Sequence, residues 1–333
     1  MKVRFYGVRG SIPAPVSSQQ IQSKITAVIQ RISAKDIVSA DAREKFISEL
    51  PSWIFGTAGG NTSCIELRGN DNTEVVLDAG TGIRVLGKSS DKPAHKTYNL
   101  FLSHLHWDHI QGLPFFDPAY APDTSLNIYS CTEGTEEYLR AQQRSPYYPA
   151  GFEKFTKNIT FRTVAPGSTF MVGGLTVSAC EMSHPGRSFS FSFSENGKKF
   201  VYATDVELAQ SDFDSTPAHE AVFRNADFIV LDAQYTVEEL YRKISWGHSS
   251  FCYAIDFAVH WGIKNVYLFH HEPMYDDKKL HSILTAARWY AKYIVHSDVN
   301  VFLRISQVES HSSKGWIEFH TRHESQFTIS VDL

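Results

Sequence analysis

The chain has 333 residues, 42% of them hydrophobic and 20% charged, with a formal net charge of -4. That composition supplies a sizeable core, while the acidic balance argues against a general affinity for nucleic acid or anionic membrane. No apolar run approaches the ~20 residues of a membrane span, and Cys64, Cys131, Cys180 and Cys252 form no CxxC pair.

Met1 to Tyr6 reads as a strand without signal-peptide character, and scattered thiols suit a reducing compartment, so a cytoplasmic protein is expected. Ile21, Ile25, Val28, Ile29 and Ile32 then recur on one face of an amphipathic helix, and Asp41 to Leu50 reads as a second helix stopped by Pro51. Residues of about 17–55 thus form a helical insertion, either covering one edge of the core or serving as a lid or homodimer contact. Asn61-Thr62-Ser63 matches a glycosylation sequon but reads as a turn.

Strands follow at Cys64 to Leu67, Glu74 to Leu77, Asn99 to Leu102 and Leu126 to Ser130, then a helix from Glu133 to Arg144. Tyr147, Tyr148 and Phe152 lie in an aromatic loop that either stacks a base or packs on the core. Further strands are expected at Thr160 to Val164, Thr169 to Val172, Leu175 to Glu181, Lys199 to Thr204 and Asp227 to Leu231. Between them, Ser188 to Ser194 alternates serine and phenylalanine, which predicts one buried and one polar face. Helices are expected at Ser249 to His260 and Lys278 to Tyr293, and an extension of about 297–333 adds strands. The pattern predicts one α/β domain over 1–333, with two sheets between helical layers.

The chemistry concentrates where the strand Asn99 to Leu102 ends. His104, His106, Asp108 and His109 fall within one tight turn, and imidazole and carboxylate are the donors that zinc and other first-row ions accept. Trp107, between them, reads as a packing residue that fixes the turn. Further donors share one signature, a His or Asp immediately after an apolar strand: His184, Asp205 and His270. Each sits where α/β sheets usually build their sites.

His104-x-His106-x-Asp108-His109, followed by His184, Asp205 and His270, resembles the motif set of the metallo-β-lactamase superfamily of binuclear metallohydrolases. The resemblance covers roughly residues 1 to 290 and implies an αββα sandwich with two divalent ions, zinc first and manganese or iron as alternatives. It implies that His104, His106 and His184 bind one ion, that Asp108, His109 and His270 bind the other, and that Asp205 bridges. Asp78 matches the family's early aspartate, a support and not a ligand. The diiron oxidoreductases carry glutamate at the position of His106, which disfavours that branch.

Trp246-Gly247-His248-Ser249-Ser250 resembles the His-Ser motif of ribonuclease Z and its relatives, the phosphodiesterase branch. Expelling an alkoxide from a phosphodiester benefits from a general acid, the role His248 would take beside Asp205 and Asp108. Glu207 either orients His248 or is a surface glutamate. Between His184 and Asp205 there are only two strands and the turn Glu195 to Lys198, with no room for the tRNA-gripping arm of ribonuclease Z. A small phosphodiester is therefore the expected substrate, a cyclic nucleotide first, with no stable nucleic-acid complex and no membrane partner. The alternatives are a ribonuclease Z-type RNA-processing enzyme, a thioester or lactone hydrolase, and a non-catalytic protein anchored by its metals. His271 adjoins His270 and reads as structural.

Overall fold

Strand-forming sequence assembles two facing seven-stranded sheets in the computed structural model, which describes residues 1–93 and 95–303 and the backbone of 317–318. The first sheet contains β1 (Lys2–Gly7), β2 (Cys64–Arg68), β3 (Glu74–Leu77), β4 (Thr97–Leu102), β5 (Ser125–Ser130) and β6 (Ile159–Thr163). The second runs through β7 (Thr169–Val172), β8 (Leu175–Met182), β9 (Ser188–Glu195), β10 (Lys198–Ala203), β11 (Phe228–Asp232), β12 (Asn265–Phe269) and β13 (Asn300–Phe302). A short β14 (Ile317–Glu318) pairs with β1 at the edge of the first sheet.

Both sheets change character at one strand. Pairing is antiparallel from β1 to β3 and parallel from β3 to β6; in the second sheet it is antiparallel from β7 to β10 and parallel from β10 to β13. Asp78 and Asp205 follow the two switch strands, so the carboxyl ends of β3, β4, β10, β11 and β12 converge on one rim.

Aromatic side chains lock the sheets face to face. The Phe101 ring on β4 meets Phe191 and Phe193 on β9 edge-on, at 5.3 and 5.1 Å, and Phe5 stacks on Tyr267 at 4.1 Å. Each such pair contributes about 0.5–1.5 kcal/mol beyond the area it buries. Ser188, Ser190 and Ser192 of β9 also end up buried, because α7 (Pro217–Phe223) lies over β8 and β9 and small side chains let it approach. The polar face expected of that strand is therefore covered. On the outer side of the first sheet, α4 (Gly82–Lys88) and α6 (Thr135–Gln142) bury Ile83, Leu86 and Leu139 against Val76, Leu100 and Ile128. On the second, α9 (Phe251–His260) and α10 (Asp277–Tyr293) cover β11 to β13. The result is the αββα layering.

The insertion folds as α1 (Ser18–Ile29), α2 (Ala40–Ser48) and α3 (Ser52–Phe55). Ser17 and Gln20 close a capping box at the start of α1, satisfying backbone donors that the first turn leaves free. Ala27, Trp53 and Ile54 form a small core within the insertion, which docks through α3 on α10 and through Lys24, whose ammonium sits 2.5 Å from Asp277 of α10. The isoleucine stripe does not pack as the periodicity suggests: Ile21, Ile25 and Ile29 are half or more exposed. Of the carboxyl extension, β13 and β14 are strands, and residues 304–316 and 319–333 lie outside the described residues. Among the described residues, no helix is long and apolar enough to cross a membrane.

Candidate metal centre

Where β4 runs out, Asp78 holds the turn. Its carboxylate accepts from the Ser103 amide (2.8 Å) and the Ser103 hydroxyl (2.7 Å), as well as from the Tyr202 hydroxyl (2.7 Å). The chain then presents His104, and His106 caps α5 (Trp107–Ile110), whose single turn aims Asp108 and His109 inward. Asp205 and His270 extend from β10 and β12, and His184 follows β8. Asp78, Asp205 and His270 all adopt left-handed backbone (φ 59, 54 and 58°), which costs a non-glycine residue about 1–2 kcal/mol and turns each side chain off its strand.

Seven side chains converge as two sets that share Asp205. In the first set are His104, His106, His184 and Asp205; in the second are Asp108, His109, Asp205 and His270; the ligand atoms within each set lie within 4.8 Å of one another. His106 Nδ1 is 3.2 Å from His184 Nε2, and His104 Nε2 is 3.6 Å from Asp205 Oδ1. His109 Nε2 lies 3.1 Å from Asp205 Oδ2 and 3.3 Å from His270 Nε2, which is itself 3.0 Å from Asp108 Oδ2. Ligands about 2.0–2.1 Å from a tetrahedral ion stand about 3.3 Å apart, so these separations match the edges of such a polyhedron.

The electrostatics call for cations. His104 Nε2 is buried without a hydrogen-bond partner, and burial holds that imidazole well below its ordinary basicity, in the neutral form a metal accepts. Around His109 burial is outweighed by Asp205, Asp108 and Asp78, which raise its basicity. Asp78, Asp108, Asp205 and Asp232 are all buried. Four carboxylates out of water are costly unless compensated, and two divalent ions would balance them. The donor set fits the metal pair. Asp78 stands behind His109, its Oδ2 2.7 Å from Nδ1, which fixes that ring's orientation from outside both sets.

His248 sits beside the sets. Its Nδ1 is 2.8 Å from Asp232 Oδ2, and its ring stacks on His270 with centroids 4.8 Å apart. Asp232 ends β11 and also accepts from the Ser249 amide at 2.9 Å. Burial alone would lower the basicity of His248, but the Asp232 charge and hydrogen bond outweigh it and raise it. Sequence reasoning missed Asp232, although it carries the same signature as the other donors, an acidic residue closing an apolar strand. Glu207 does not touch His248. It accepts from the Ser245 and Gly247 amides at 2.9 and 2.8 Å, pinning the loop whose Gly247 carbonyl is 2.7 Å from His184 Nδ1.

Packing overturns the place expected for Trp107 and decides between the two readings of the aromatic loop in favour of the core for Phe152. Trp107 is 82% exposed, so it does not wedge the turn. Phe152 is buried against Phe155, and the Tyr148 hydroxyl donates to the Pro114 carbonyl; of the three loop aromatics Tyr147 is the one largely exposed. His271 is buried, and its backbone bridges Val8 and Gly10, which confirms a structural place.

A family described as "Beta-lactamase superfamily domain" matches residues 73–271. Ribonuclease Z of Listeria monocytogenes is 28% identical over 131 residues, 38% of this chain and 41% of the relative, so the chain spans about two-fifths of that relative's length. Among solved structures, the metallo-β-lactamase fold protein YhfI from Bacillus subtilis superposes with a TM-score of 0.60 at 16% identity, over 92% of this chain and 96% of that one. Human tRNase Z, short form, gives 0.57 at 19% identity, over 82% and 93%.

Proposed function

The chain belongs to the β-lactamase superfamily, and from that premise we propose that it is a binuclear metal-dependent phosphodiesterase whose substrate is a small diester, a cyclic nucleotide. The observation that supports this reading is the buried His248–Asp232 pair, whose imidazole stacks on His270 beside the ligand sets and would serve as the proton donor to a leaving oxygen. His104, His106 and His184 would hold one ion, Asp108, His109 and His270 the other, and Asp205 would serve both. Zinc, manganese or iron at these residues would supply Lewis acidity and activate water.

The chain's own groups do the rest. Asp232 fixes the proton on Nδ1 of His248, which leaves Nε2 as the atom that delivers a proton to the departing alkoxide. The Asp232 carboxylate favours the charged imidazolium, the form a general acid uses. Ser11 donates its amide to Asp108 Oδ2 at 2.7 Å, holding that carboxylate against the site. A thioester expels a thiolate, a better leaving group than an alkoxide, and needs such an acid less.

The ribonuclease Z relatives support a second reading, an RNA phosphodiester, because the linkage is the same. A net charge of -4 opposes it. The test is a panel of cyclic AMP, bis-p-nitrophenyl phosphate, a structured RNA and an acyl-thioester, run with zinc- and manganese-loaded protein. The proposal expects turnover of the two small diesters. Thioester hydrolysis with no diester cleavage would overturn it, and RNA as the sole substrate would transfer it to the second reading.

A further inference from the structure

The rim of the metal centre carries two tryptophans that packing does not explain. Trp107 is 82% exposed and Trp246 62% exposed. Singly exposed aromatics are ordinary on a protein surface; what sets these two apart is that both stand beside the same opening of the centre. Both adjoin the same pair of ligands. Trp107 follows His106 directly, on the single turn whose next two residues face inward. Trp246 precedes Gly247, whose carbonyl contacts His184 Nδ1, and Glu207 clamps that loop from below. His106 is exposed and His184 half-buried, while His104, Asp108, His109, Asp205 and His270 are buried. The His106–His184 edge is therefore the open side of the centre, with Trp107 on the turn after β4 and Trp246 in the loop that leads into α9.

Charge at this edge points away from a polyanion. Lys243 lies over the Tyr235 ring at 4.1 Å and near Trp246 at 5.5 Å, but Glu272 meets its ammonium at 3.1 Å. What remains to greet a substrate is aromatic surface, and each indole has only two side-chain torsions to fix on binding.

We propose that Trp107 and Trp246 form a stacking subsite for a planar aromatic group, a nucleobase or an aryl ring, on the part of the phosphodiester that is not expelled. This names the substrate class of the centre described above and rests on the phosphodiesterase reading. The rings act on binding and leave the chemical step alone.

The test compares two diesters with the same leaving group, bis-p-nitrophenyl phosphate and methyl p-nitrophenyl phosphate, on the zinc-loaded protein. In W107A and W246A, KM for the diaryl ester is expected to rise by about 5- to 150-fold, with kcat within about two-fold and KM for the methyl ester unchanged. Equal shifts for both esters, or none, would overturn the subsite. Quenching of tryptophan fluorescence by adenosine 5′-monophosphate reads stacking without turnover; it is expected to saturate in the wild type and vanish in the double variant. If neither diester is cleaved but that quenching behaves so, the subsite stands and the phosphodiesterase reading falls. Diester cleavage with no tryptophan-dependent quenching and no discrimination between the esters leaves the phosphodiesterase reading and removes the subsite.

Discussion

Replacing His248 with alanine separates proton delivery from everything else the centre does. The imidazole is 8% exposed, and its one charge-assisted bond is to Asp232 Oδ2 at 2.8 Å. Asp232 Oδ1 keeps the Ser249 amide at 2.9 Å and the Gln234 amide at 3.3 Å, so the carboxylate stays partly satisfied and the fold loses about 1.5–3 kcal/mol. A positioned general acid contributes about 10²–10⁴-fold, or about 3–5.5 kcal/mol of barrier. That contribution scales with how badly the leaving group needs a proton. Cyclic AMP expels an alkoxide, whereas bis-p-nitrophenyl phosphate expels a phenolate that leaves unaided. His248→Ala should therefore cut kcat/KM for cyclic AMP by about 10²–10⁴-fold and for the aryl diester by far less, with a melting curve confirming the fold. Equal losses on both substrates, or an unchanged rate on cyclic AMP, would refute the acid role.

Other consequences follow from the same contacts. An acid must be protonated to act, so activity falls as pH rises through its pKa; Asp232 raises the basicity of His248, and Asp232→Asn should move that fall to lower pH in a kcat/KM profile on cyclic AMP. A limb that stays in place would remove Asp232 from the mechanism. Glu207→Ala frees the Ser245 and Gly247 amides, and a ten-fold or so weaker KM with near-normal stability is expected from steady-state kinetics on bis-p-nitrophenyl phosphate. Phe152→Ala, at a 5% exposed site against Phe155, should lose about 3–5 kcal/mol in denaturant unfolding while leaving KM alone.

How much of this was legible beforehand depends on what each residue answers to. Ligands were readable because a donor must stand where a strand ends, and the sequence shows both the apolar run and the residue that closes it: His104, His184, Asp205 and His270 were all found this way. Asp232 obeys the same rule and was overlooked because nothing local marks its partner, sixteen residues on in His248. Periodicity located α1 and its stripe but could not say what lies opposite, and Ile21, Ile25 and Ile29 face solvent. Trp107 shows the same limit from the other side. An aromatic in a tight turn suggests packing, yet exposure is decided by how α5 is aimed, and that is set by Asp108 and His109 turning inward. Glu207 was placed near the right loop and attached to the wrong group, since a two-residue spacing from Asp205 fixes proximity and leaves the hydrogen-bond partner open.

The claim on which the rest depends is that seven side chains hold two divalent ions, with Asp205 common to both. Elemental analysis of the purified chain after dialysis, alongside Asp205→Ala, tests it most directly. The account predicts about two ions per chain in the wild type and close to none in Asp205→Ala, because that substitution takes a donor from each set. A wild-type content near zero in a chain that is folded and cleaves diesters would contradict it.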